Sequence, residues 1–397
     1  MQIYCMSFHL KGLERWMTLS KIKVLQLHPK YNIRSTDISD LGEQIFKALP
    51  ENRYITINGF FSGRPREGDP VSCANQSIYF EFTGQQLKGL RIFALWKLYK
   101  YLKKENIDVV ICNRYKPVNM LLTLSRFMKI PLCIGIAHGF GDYDRAYRRN
   151  QVKKRVNKNW RFVGVSPAVK DYLLSLKSGF TEENTVAITN AIDTEKADSI
   201  MLDKSAARAE LRLDPSVKII GALGRLVPLK GHANLIKAFS VVSKDYPDTH
   251  LAIIGEGREQ ANLENLIQTL NLQDRVHLLG FHPDAIRLAK AFDIWVMPSF
   301  KEGLGLALLE GMCARLPIIA SNVPAMLPLI NGAGGIVIDP HNIEDISAAL
   351  VSYLNKSYQE RSLLGDNAYK YLVDNHSIKE FKVKYLDLIE NGLKKNE

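Results

Sequence analysis

The sequence predicts an α/β protein of two parallel-sheet domains, and three observations carry that prediction. Short apolar, β-branched runs recur along the chain, each followed by a longer segment with helical spacing. Runs such as Val109-Val110-Ile111-Cys112 and Pro317-Ile318-Ile319-Ala320 are apolar on both faces, as strands covered by helices on both sides must be. The length, 397 residues, is two to three times that of a single domain.

In the first half, strands are expected at Lys23–Leu27, Tyr54–Ile57, Asp108–Cys112, Leu132–Ala137, Phe162–Val165 and Val186–Ile188. In the second half they are expected at Lys218–Leu223, His250–Ile254, Val276–Leu279, Ile294–Met297, Ile318–Ala320 and Ile336–Ile338. Alternation of strand and helix through both halves gives two Rossmann-like domains, residues 21–192 and 193–375. Residues 1–20 read as an N-terminal extension. Residues 376–397 form a last helix placed to pack back across the seam near Asn190–Asp193.

Composition removes several classes. Apolar residues make up 46% and charged residues 24%, which is ordinary globular usage rather than that of a disordered chain. No run of about 18 apolar residues exists to span a bilayer. The first twenty residues carry His9, Lys11, Glu14 and Arg15 and do not read as a signal peptide. Cys5, Cys73, Cys112, Cys133 and Cys313 show no C-x-x-C pairing, so reduced thiols and a cytoplasmic location are expected. No His/Cys cluster has zinc spacing, and no G-x-G-x-x-G suggests a nicotinamide or flavin.

The net charge of +12 is lopsided. Residues 1–190 hold 30 Lys and Arg against 15 Asp and Glu, and residues 191–397 hold 23 against 26. A basic first half points to an anionic partner: a membrane surface, a phosphorylated glycan or nucleic acid. Arg145, Arg148, Arg149, Lys153, Lys154, Arg155, Lys158 and Arg161 follow one another with no acidic residue between them. The segment 87–104 mixes Leu90, Phe93, Trp96 and Tyr99 with six cations. Both read either as solvated helix faces or as contacts to an anionic surface.

Two loops carry the chemistry. Lys301-Glu302-Gly303-Leu304-Gly305 follows the strand Ile294–Met297 and opens a helix containing Glu310. Gly303 and Gly305 leave backbone N–H groups uncovered at a helix N-terminus, an anion site. Glu310 is expected on the same helix face, roughly 10 Å further along, where a carboxylate suits ribose hydroxyls. A capped turn would explain Glu302 alone, but not the glycines and both carboxylates together. The second loop, Gly224-Arg225-Leu226-Val227-Pro228-Leu229-Lys230-Gly231, places two cations after the strand Lys218–Leu223. An arginine fork and a lysine point charge suit a diphosphate, although taken alone a solvated basic turn is the simpler reading.

In this order and spacing, the G-R-x(4)-K loop and the E-x(7)-E segment resemble those of family 4 retaining glycosyltransferases of the GT-B fold. The resemblance extends to Gly255-Glu256-Gly257, Ala291-Phe292-Asp293, Met297-Pro298-Ser299 and Asn190-Ala191-Ile192-Asp193. It implies two domains facing a central cleft, a nucleotide-sugar donor and a glycan or glycolipid acceptor. Sugar transfer would proceed with retention, in lipopolysaccharide or other cell-surface polysaccharide synthesis. Arg225 and Lys230 would neutralise the diphosphate, Glu302 would hold sugar hydroxyls, and Glu310 the ribose. Gly224, Gly303, Leu304, Gly305 and Phe281 would line the donor site. His138, ending a first-half strand, would face the donor sugar from the other domain, although by position alone such a histidine is more often structural.

The loop after the first strand departs from the family's glycine pair and offers Asn32, Ser35 and Thr36 as polar candidates. Asp142-Tyr143-Asp144 is a D-x-D, but protein cations already match the diphosphate. No metal and no cofactor are therefore expected, and no nucleic-acid partner. An epimerase or phosphorylase on the same fold, or a non-catalytic sugar-nucleotide binder, are the alternative readings.

Overall fold

The computed structural model describes residues 21–33, 38 and 40–395, so the expected extension over residues 1–20 lies outside the described residues. The first sheet comprises β1 (Ile22–His28), β2 (Tyr54–Phe60), β3 (Gln76–Tyr79), β4 (Val109–Asn113), β5 (Leu132–Ala137), β6 (Trp160–Gly164) and β7 (Thr185–Ala187). Its order is β3-β2-β1-β4-β5-β6-β7, and every pairing is parallel. Among the described residues, α1 (Leu41–Phe46), α2 (Ile92–Glu105), α3 (Tyr115–Leu124), α4 (Ala146–Arg155) and α5 (Pro167–Ser175) connect these strands.

The chain then runs through α6 (Thr194–Ile200) and α7 (Lys204–Glu210) into a second sheet. Its strands are β8 (Lys218–Leu223), β9 (Thr249–Ile254), β10 (Val276–Leu278), β11 (Ile294–Met297), β12 (Ile318–Ser321) and β13 (Ile336–Ile338). They lie in the order β10-β9-β8-β11-β12-β13, again all parallel, with α8 (His232–Val242), α9 (Gln260–Thr269), α10 (Leu306–Cys313), α11 (Leu327–Gly332) and α12 (Ile343–Leu354) between and after them. The chain closes with α13 (Tyr358–Asn375) and α14 (Ile378–Lys394).

Both sheets follow one plan. The strand order reverses between β1 and β4, and again between β8 and β11, which leaves a crevice beyond the carboxyl ends of those strands. Helices cover both faces of the central strands, and β4 and β5 expose no residue. Strand β3 has no counterpart among the strands read from sequence. Its Gln76 and Ser77 are exposed at the sheet edge, so it carries no apolar run.

Caps fix the helix starts. Ser166 accepts from Val169 N ahead of a proline at the start of α5, Asp193 caps α6, and Ser357 with Glu360 forms a capping box on α13. Helix α7 is tied to the second domain by the half-buried Asp293. Its carboxylate accepts from Arg208 at 2.8 Å, Lys204 at 2.5 Å and the Ile219 amide at 2.7 Å.

The last helix, α14, returns to the first domain, where Phe381, Tyr385 and Ile389 join its core. Gly392 lies so close to Leu132 that a Cβ there would come within 2.7 Å of the leucine side chain. The two crossings between domains run side by side. Ile192 bridges Ser377, and the His376 Nδ1–H donates to the Asn190 carbonyl at 3.2 Å.

Candidate active site

The cleft between the two sheets is built from strand ends. On the first-domain side, His28, Asn113 and His138 come from the carboxyl ends of β1, β4 and β5. With Lys30, Asn32, Arg114 and Leu306 they line a cavity of about 530 Å³. The His28 ring stacks on Phe60 (5.2 Å between centroids), and burial pushes its pKa down to about 3, so it is neutral at pH 7. His138 Nε2 donates to Asn113 Oδ1 at 2.8 Å, which leaves Nδ1 as the acceptor of a neutral imidazole. The His138 residue is exposed to the cleft, yet the protein crowded around its ring, and then the Arg114 charge, lower its pKa to about 4. Arg114 itself holds a left-handed backbone (φ 67°) at the start of α3, which sets an exposed guanidinium beside the cavity.

On the second-domain side, both motif loops flank the strand-order reversal. After β8, Gly231 adopts φ 71° and lies against the loop after β11: a Cβ there would sit 1.9 Å from the Pro298 carbonyl oxygen. That close approach brings Lys230 Nζ to 2.6 Å from Glu302 Oε1, an ion pair in which both side chains are largely enclosed. Arg225 is exposed and its guanidinium makes no ion pair among the described residues. His232 is buried beneath Gly224, and burial and then Lys230 lower its pKa to about 4. Phe281 follows β10 and is 44% exposed.

The glycine segment differs from its expected form. α10 begins at Leu306 with Gly305 as its N-cap, in a left-handed conformation at φ 91°. Gly303 therefore precedes the helix, and Glu310 does not share a helix face with it. Leu304 is buried. Glu310 is buried in α10, and burial raises its pKa to about 7, against the opposing pull of Lys230.

Gly303 has a different task. Its backbone meets the other domain so closely that a Cβ would lie 2.1 Å from the His138 carbonyl oxygen. Ser166 Oγ donates to the Gly303 carbonyl at 2.7 Å, clamping the same contact. Glu302, Gly303 and His138 thus share one junction, and Lys230 joins it through its ion pair with Glu302.

Asn32 joins this cavity, while Ser35 and Thr36 lie outside the described residues. Asp144 Oδ1 accepts from Tyr172 at 2.6 Å, and the Asp142 and Asp144 carbonyls accept from Arg148 and Arg149. Among the described residues no group of three His, Cys, Asp or Glu is assembled to hold a metal. Asn113, Arg114 and His28 were not singled out from sequence. Their one signal was position, at the end of an apolar run, which acquires meaning only once β1 and β4 are known to flank the reversal.

Paired Rossmann-like sheets with this cation, carboxylate and glycine arrangement define a class. The profile described as "Glycosyl transferases group 1" matches residues 203–371, and that described as "Glycosyltransferase Family 4" matches residues 60–196. The chain belongs to the group 1, family 4 glycosyltransferases and has the GT-B fold.

Across nearly its whole length the chain is similar to the Escherichia coli UDP-Gal:alpha-D-GlcNAc-diphosphoundecaprenol alpha-1,3-galactosyltransferase. Identity is 26%, covering 94% of this chain and 99% of that enzyme. The Rhizobium meliloti lipopolysaccharide core biosynthesis glycosyltransferase LpsD is 31% identical over 48% of this chain and 54% of its own length. Among solved structures, Anabaena Alr3699/HepE in complex with UDP and glucose superposes with a TM-score of 0.75 at 18% identity, covering 93% of this chain and all of that one.

Proposed function

We propose that this glycosyltransferase moves a sugar from a nucleoside-diphosphate sugar to a hydroxyl of a cell-surface glycan or glycolipid, with retention at the anomeric carbon. The observation that carries the reading is the Lys230–Glu302 pair, set within the glycine junction opposite His138. Lys230 and Arg225 supply positive charge for a diphosphate, and Glu302 supplies an acceptor for sugar hydroxyls on the same side of the cleft. His138, neutral and oriented by Asn113, offers Nδ1 to the sugar from the opposite domain. UDP in the Anabaena structure and UDP-galactose in the name of the Escherichia coli relative make UDP-sugars the first donors to test.

In the proposed reaction the acceptor oxygen attacks the anomeric carbon from the face the diphosphate leaves. The bond from that carbon to the diphosphate oxygen breaks as the new glycosidic bond forms, and the acceptor proton passes to the departing phosphate oxygen. Arg225 and Lys230 stabilise the charge that grows there, an interaction stronger in the transition state than in the ground state. No residue need act as a covalent nucleophile.

The test is a panel of UDP-, GDP- and ADP-sugars incubated with the purified chain and a lipid-linked saccharide acceptor, reading donor consumption, with proton NMR of the anomer in the glycoside formed. Consumption of one donor class with an α product from an α donor is expected. Inversion of the anomer overturns retention, and release of free epimer or sugar phosphate in place of a glycoside overturns transfer.

A further inference from the structure

We propose that the outer face of α2, with the turn before it, docks on an anionic phospholipid bilayer. The inner face of α2 already fills the core through Ala94, Leu98 and Leu102. The outer face nevertheless carries a second apolar surface: Leu90 is 81% exposed, Ile92 71%, Phe93 50% and Trp96 51%. Singly exposed apolar residues are normal on a soluble protein, but four large ones within seven positions are not.

The surroundings of that patch select its occupant. Lys88, Lys97, Lys100, Lys103 and Lys104 are all exposed around or along it, and residues 82–104 contain no acidic side chain. Lys100 Nζ lies 3.9 Å from the Trp96 ring centroid, which places ammonium and indole at the same level. Lysine is depleted where proteins bury surface against one another, because its strongly hydrated ammonium resists desolvation. At a bilayer the ammonium stays at the phosphate level while Ile, Phe and Trp enter the headgroup boundary. An apolar wedge ringed by lysines fits an anionic lipid surface better than a protein partner.

The sequence pointed equally to α4, and the structure separates the two. Arg148 and Arg149 are bound to the carbonyls of Asp142 and Asp144, Arg155 donates to Thr123, and Arg161 donates to the Lys158 and Trp160 carbonyls. Half of that basic stretch is committed within the domain.

The docking face also adjoins the cleft. α2 packs against α3, and Arg148 lies 4.4 Å from the centre of the Tyr115 ring at the start of α3. Tyr115 follows Arg114, which lines the cavity. The surface stands independently of the sugar-transfer reading.

Flotation of the full chain with phosphatidylcholine vesicles, with and without about one-third phosphatidylglycerol, tests the proposal. The chain should float with the mixed vesicles at about 0.05 M salt and bind at least tenfold less at about 0.5 M or on phosphatidylcholine alone. The I92S/F93S/W96S and K100E/K103E/K104E variants should each lose at least tenfold in binding at unchanged melting temperature, whereas K153E/K154E should bind nearly as the parent does. Parent-like binding by the I92S/F93S/W96S variant, or no binding by the parent at low salt, overturns the proposal. A parent that dimerises through this face, with the dimer abolished in I92S/F93S/W96S and no vesicle binding, overturns it in favour of a second copy.

Discussion

In the second domain the candidate groups arrive in two contiguous segments, residues 224–231 after β8 and 301–310 after β11. In the first they arrive singly, His28, Asn113 and His138 each from the end of a different strand. The sheets share one strand order, so the difference does not lie in topology. On the proposed function, it lies in what each side binds. A diphosphate needs several donors within a few ångströms, and two loops with glycine at the close approaches deliver them as a unit. A sugar or glycan surface is met by separate polar groups spread along the crevice, and each can change without disturbing the others.

The sharpest way to break this comparison is to remove a cation from the contiguous side. Arg225→Ala or Lys230→Ala should lower turnover at least a hundredfold, consistent with the roughly 3 kcal/mol lost with one preorganised donor to developing charge. Near-parental turnover in both variants, with circular dichroism unchanged, would move the diphosphate elsewhere.

Next in size is the junction itself. Gly303→Ala forces a Cβ against the His138 carbonyl, so the domains must part by more than an ångström there. Turnover should fall on the order of tenfold to a hundredfold, as misplacement on that scale costs elsewhere. Thermal stability should change little, because neither domain's core is touched. A large drop in melting temperature with parental turnover per folded molecule would contradict this.

A smaller effect concerns Glu310. Its pKa of about 7 means the folded chain keeps a proton that the unfolded chain has lost above about pH 4.5, so this residue's contribution to stability drains away as pH rises to 7. His28 and His232 act in the opposite sense. Both stay neutral in the fold, and their contributions are lost as pH falls from about 6.5 toward 3 and 4. In Glu310→Gln the draining contribution is absent, so its melting temperature should gain a few degrees on the parent between pH 4.5 and 7. Parallel melting curves over that range would show that Glu310 is ionised throughout.

The smallest expected effect is none: EDTA should leave turnover within twofold, since Arg225 and Lys230 supply the charge a divalent ion would otherwise bring. Loss of activity with EDTA, restored by magnesium or manganese, would bring Asp142 and Asp144 forward as ligands.

Much of this was legible in the chain because buried parallel strands announce themselves. Runs such as Leu132–Ala137 and Lys218–Leu223 have the same limits in sequence and structure. β3 escaped notice because an edge strand needs only one buried face, and Gln76-Ser77 supplies neither face with an apolar side chain. The motif loops singled out candidate residues but not how the backbone would set them. Counting seven positions from Gly303 to Glu310 assumed one continuous helix, and Gly305 starts it two residues later. Asn113 and Arg114 were invisible for a different reason: a polar residue at the end of an apolar run signifies nothing until the strand beside it is known.

The return of α14 has a consequence for how the molecule is made. Synthesis proceeds from the first domain to the second, yet Phe381, Tyr385 and Ile389 belong to the first domain's core. When the ribosome has completed β7, the first sheet still lacks the helix that covers Leu132, and that helix emerges only after the whole second domain has been translated. The second domain can close as an uninterrupted stretch of chain, whereas the first must wait with an apolar face open. The earlier-made half is thus the later-finished one, and truncation near residue 375 would injure the domain farthest from it in sequence.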